Sequence, residues 1–121
     1  MVMDRREMIC QTTHELLCAT GAVAAHASDE EIAQRARALE DRYGLLAAIY
    51  ISVLAERLVD YRNALRDRDD DQIRWAWDAL LHVAAAAHDE LPWPTPEAEI
   101  AERLSELARA EQREGGDDAA A

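Results

Sequence analysis

Apolar residues recur at spacings of three and four along most of the chain, which is the period of an α-helix. The first set is Ile9, Thr13, Leu16, Thr20, Val23 and Ala27. The second runs through Ile32, Ala36, Leu39, Tyr43, Leu46, Tyr50 and Val53, then Leu54, Leu58, Tyr61 and Leu65. Ile73, Trp77, Leu80, Ala84, Ala87 and Leu91 form the third, and Ile100, Leu104 and Leu107 the fourth. No stretch alternates with period two over a strand's length. The pattern predicts an all-α, four-helix bundle-like domain over residues 1–114, with no β-sheet.

Capping chemistry supplies the starts. Asp4-Arg5-Arg6-Glu7, Ser28-Asp29-Glu30-Glu31 and Asp69-Asp70-Asp71-Gln72 each place a side-chain acceptor three residues before a second polar group. Thr95-Pro96-Glu97 offers an N-cap, a proline at the first helical position and an acid in the first turn. The second helix is the unusual one. Continuous from Asp29 to Arg66 it would be roughly 57 Å long, against a radius of gyration near ~14 Å for a compact chain of this length. Gly44 alone costs only about 1 kcal/mol in a helix interior. Either Gly44 breaks the helix or neighbours cover both halves of it; the favoured expectation is a long second helix whose overhang is covered by a second protomer, a homodimer. Leu91-Pro92-Trp93-Pro94-Thr95-Pro96 is a stiff connector in which Trp93 folds back as a lid on the core. Gly-Gly-Asp-Asp-Ala-Ala-Ala, residues 115–121, reads as a disordered acidic tail.

Charge changes the picture most. The chain carries 25 acids against 13 basic residues, all arginine, for a net charge of −12. Residues 67–121 hold 15 of those acids. Such a field opposes direct contact with nucleic-acid phosphates or an anionic membrane, and favours a basic protein surface. The longest apolar run, Leu45–Ala55, is broken only by Ser52 and is too short to span a bilayer. The N-terminal residues are too polar for a secretory signal. Cys10 and Cys18 on one helix would lie roughly 12 Å apart along its axis, too far for a mutual disulfide. Together these predict a reducing, cytoplasmic setting.

Three constellations carry candidate chemistry. Cys10, His14 and Cys18 recur every fourth residue, so they share one broad helix face on which thiolate and imidazole ligands suit zinc; small core residues explain the same spacing. Glu56 and Asp60 lie one turn apart, as do Asp78 and His82. Asp70-Asp71-Gln72-Ile73 followed by Asp78-Ala79-Leu80-Leu81-His82, with Glu56 upstream, resembles the all-α nucleoside triphosphate pyrophosphohydrolases of the MazG-like group. That resemblance implies Mg²⁺ held against a nucleotide's phosphates by four carboxylates, with Glu56, Asp60 and Asp78 as the candidates here. Val59 and Trp75 stand where two of the family's carboxylates belong, which makes any relationship a degenerate one, because hard cations need oxygen ligands in number. Solvated acids on helix faces give the same pattern.

The third is aromatic and acidic. Trp75 and Trp77 cannot both face one core at their spacing; Trp77 continues the Ile73–Leu80 stripe and Trp75 falls on a flank of small residues. On the last helix Glu99, Glu102 and Glu106 make an acidic face that can imitate a row of phosphates. The expected function is a non-enzymatic interaction module, an adaptor, regulator or inhibitor of a basic protein. Trp75, Trp77, Glu99, Glu102 and Glu106 are its expected contacts, and no cofactor is required. The Mg²⁺ pyrophosphohydrolase and the zinc-binding helix are the alternatives.

Overall fold

The computed structural model describes residues 4–21, 29–90, 93–94 and 96–120, apart from the side chains of 29, 31–33, 36, 90 and 115–120. Six helical segments follow one another: α1 (Arg5–Thr20), α2 (Asp29–Tyr43), α3 (Leu45–Asp67), α4 (Asp70–Ala85), the short α5 (Ala87–Glu90) and α6 (Glu97–Ala120). No strand occurs among the described residues. The chain is an all-α bundle.

Local chemistry accounts for the boundaries. Asp4 caps α1, its Oδ1 accepting from the Glu7 N–H at 2.8 Å, and Gly21 ends the helix in the left-handed region at φ 81°. The first helix therefore stops short of Ala27, which, with Val23 and Ser28, lies outside the described residues. Asp69 caps α4 through Oδ1 and the Gln72 N–H at 3.2 Å. The start of α6 is held by the Ala98 N–H donating to the Pro94 carbonyl at 2.9 Å; Thr95, the expected cap, lies outside the described residues. α6 runs on to Ala120, over residues read from sequence as a disordered tail.

The long second helix is corrected. Gly44 adopts φ 92°, ψ 166°, a conformation that L side chains rarely take, and it separates α2 from α3. The hydrogen-bond ladder closes on either side of it: the Gly44 N–H donates to the Glu40 carbonyl at 2.8 Å, and the Ala48 N–H to the Gly44 carbonyl at 2.9 Å. The bend turns α2 against α3, so that Leu39 joins the same buried cluster as Ile51 and Leu54. Burying that leucine is worth roughly 1.5–3 kcal/mol, more than a glycine's helical penalty.

The most extensive pairings are α3 with α4 and α1 with α6; α4 on α6 joins the two pairs. Ile9, Leu16, Ile51, Leu54, Leu80 and Leu104 are the large core side chains. Ala84, Ala87, Ala101 and Ala108 are fully buried between them, small enough to let helices approach closely. Two buried hydroxyls find backbone partners: the Thr13 hydroxyl donates to the Ile9 carbonyl at 2.7 Å, and Ser105 Oγ accepts from the His88 N–H at 2.7 Å, while the buried Tyr43 hydroxyl has no hydrogen-bond partner among the described residues. Trp93 closes the core as expected. Its indole donates to the Ala87 carbonyl at 2.6 Å and packs edge-on against Tyr43 and Tyr50.

Candidate functional site

α3 ends at Arg68, which takes the left-handed conformation at φ 55°, and Asp69 starts α4 immediately afterwards. The tight reversal brings the last two turns of α3 beside the first two turns of α4. Between them lies an open hollow of about 290 Å³, lined by Asp60, Asn63, Asp67, Asp69, Gln72 and Trp75, with Ala64 and Ala76 as its floor. Trp75 stands at its lip with 58% of its surface exposed. Three carboxylates and the Trp75 indole therefore line one concave surface. A carboxylate accepts hydrogen bonds from a cation, and an aromatic face attracts a cation through its quadrupole. Asp60, Asp67 and Asp69 give the hollow an acidic lining beside the indole.

The second tryptophan does something else. Trp77 is 4% exposed, packs 5.0 Å from the Tyr61 ring and carries the Arg6 guanidinium over its face at 4.8 Å. It is a core residue with almost no surface to offer a partner. Two residues further round the helix, Trp75 has the surface that Trp77 lacks.

Glu99, Glu102 and Glu106 are exposed on α6, and none makes an ion pair among the described residues. The neighbouring arginines are engaged elsewhere: Arg103 with Glu15 at 3.5 Å, and Arg109 with Asp89. Among the described residues none of α6 lines the Trp75 hollow. The expected contact set thus divides into two faces, one beside Trp75 and one along α6. The aspartates Asp67 and Asp69, which the sequence reading passed over as turn and cap residues, belong with Trp75.

The candidate Mg²⁺ ligands do not converge. Asp60 lines the Trp75 hollow and sits 3.5 Å from the Arg57 guanidinium. Asp78 lines a different hollow of about 380 Å³, with Arg6, Trp77 and Glu111. Glu56 is exposed and lines neither. On α1, Cys18 Sγ lies 3.4 Å from His14 Nε2, so that pair does meet. Cys10 is half-buried, and burial pushes its thiol above the ordinary cysteine range, with Arg62 pulling the other way. Among the described residues no group of three or more His, Cys, Asp or Glu side chains is placed to hold a metal ion.

A second surface was not singled out from the sequence. Leu45, Leu46 and Ile49, at the start of α3, are 58%, 78% and 51% exposed, and they flank an open groove of about 740 Å³ against His82 and Val83 of α4 and its C-cap Ala86. Its signal in the sequence is the apolar run Leu45–Ala55, which fills both sides of a helix where a one-sided stripe would suffice. Among the described residues no helix is long and apolar enough to cross a membrane. The chain matches no protein family, no curated protein and no solved structure.

Proposed function

We propose that this protein is a non-enzymatic interaction module that captures a basic segment of another protein, seating an arginine or lysine side chain in the hollow beside Trp75. The observation that carries this reading is the exposed indole of Trp75 on the same concave surface as Asp60, Asp67 and Asp69. An exposed tryptophan is costly to leave in water, and tryptophan is among the commonest residues to dominate an interface. The net charge of −12 steers a basic partner towards it. The acids Glu99, Glu102 and Glu106 extend the attraction over a second face, in the manner of a phosphate row. Two free thiols fit the reducing setting of the cytoplasm.

An arginine-rich peptide titrated into the full chain by calorimetry tests the proposal. Binding is expected at low salt, weakening as salt rises. Trp75→Ala should weaken it about tenfold, as loss of a cation–π contact and an anchor of roughly 1–2 kcal/mol implies. Asp67→Asn with Asp69→Asn should act alike; asparagine preserves the cap on α4, so helicity is kept. Binding of the peptide unchanged by all three substitutions would overturn the proposal.

A further inference from the structure

The groove at the start of α3 serves a different partner. We infer that it is the contact surface for a second copy of this chain, with the first turns of α3 from two protomers packing about a two-fold axis.

Composition gives the first reason. From Tyr43 to Ala55 the chain has no ionisable acid or base apart from tyrosine, in a molecule where charged residues make up 31%. Among the described residues no Asp, Glu or Arg lines the groove. A basic partner would find nothing there to pair with. Two copies at −12 each repel one another, and that cost is least where they meet through a face without charge. An anionic lipid surface repels the chain on the same grounds.

Shape gives the second. Leu45 and Leu46 protrude, while the depression lies directly beside them, bounded by Ile49 and Val53 on one side and by His82 and Val83 on the other. A two-fold interface is made by one patch meeting itself, so it needs projections and a hollow on the same patch. This patch has both: Leu46 of one protomer can enter the groove of its partner while the reverse contact forms. The opposite side of the same helix, with Ala48, Ile51 and Leu54, is already buried in the core. A helix apolar on both sides is one that is covered on both sides.

The apolar stretch from Leu45 to Val53 is only about 12 Å long, so the face it offers is small beside the ~800 Å² per partner of a standard interface. The dimer is therefore weak and exchanges with monomer as concentration changes. Salt screens the repulsion between the two acidic bodies, so dimerisation strengthens as salt rises, opposite in sign to the capture of a basic segment. The failure of one reading leaves the other standing.

Sedimentation equilibrium of the full chain across a range of concentrations, at low and high salt, is the test. The wild type is expected to move towards twice the monomer mass with concentration, more so at high salt. Leu46→Asp and Ile49→Asp should remain monomeric with unchanged helical circular dichroism, and the milder Leu46→Ala should weaken association about tenfold. Val59→Asp, at an exposed apolar position that does not line the groove, should dimerise as the wild type does. A wild type that stays monomeric throughout overturns the inference and leaves the groove to an apolar segment of another protein. Dimers that survive Leu46→Asp, or that Val59→Asp abolishes equally, overturn it as well.

Discussion

At Trp75 and Trp77 a two-residue step along α4 rotates the side chain by about 200°, and that rotation takes one indole to solvent and the other into the core beside Tyr61. On α1 the eight-residue step from Cys10 to Cys18 rotates by only about 80°, which leaves Cys10 half-buried and Cys18 exposed next to His14. Burial raises the Cys10 thiol, so less thiolate is present at neutral pH, and the thiolate is the form that reacts. A thiol-alkylating reagent is accordingly expected to modify Cys18 before Cys10, read by mass spectrometry of timed samples. Equal rates, or Cys10 first, would contradict the placement of α1. Trp77's core role was legible in the sequence because it continues the Ile73–Leu80 stripe. For the same reason a residue on the stripe has little face left to offer a partner.

The elements follow their caps more closely than their periodicity. Asp4 and Asp69 could be read directly, since an acceptor placed three residues before an N–H is a local property. Gly44 could not, because its effect is settled by what lies far along the chain: bending there lets Leu39 join Ile51 in one core. Periodicity runs through the bend undisturbed, which is why a single long helix was expected. Gly44→Ala tests the account. A methyl group at this position meets nothing within 4 Å, so steric crowding is absent, but the positive φ remains. The expected cost is about 1–3 kcal/mol from backbone strain alone, measured by urea unfolding. No loss, or a gain as for an ordinary helical glycine, would show that α2 and α3 form one continuous helix in solution.

At the scale of the whole molecule, charge and apolar surface are kept apart. The aspartates of the α3–α4 reversal gather round Trp75, the glutamates of α6 line another face, and the start of α3 is left without charge. The first two were visible as acidic runs in the sequence. Their grouping with Trp75 was not, because it depends on how tightly Arg68 and Asp69 turn the chain. The groove was hidden for a different reason. A helix that is apolar on every side reads from sequence as simply buried, and only packing reveals which side stays open. With the two surfaces distinct, capture of a basic peptide should weaken with salt while self-association strengthens, in one protein and one buffer series.

The central claim is that Trp75 marks where a basic partner is held, and the indole N–H signals of the three tryptophans offer the most direct reading of it. In nitrogen-15 labelled protein, an arginine-rich peptide is expected to shift the Trp75 indole signal in a dose-dependent, salt-reversible way. Those of buried Trp77 and of Trp93, whose N–H is held by the Ala87 carbonyl, should stay in place. A Trp75 signal that remains fixed while the peptide binds elsewhere, or while nothing binds, would contradict the account.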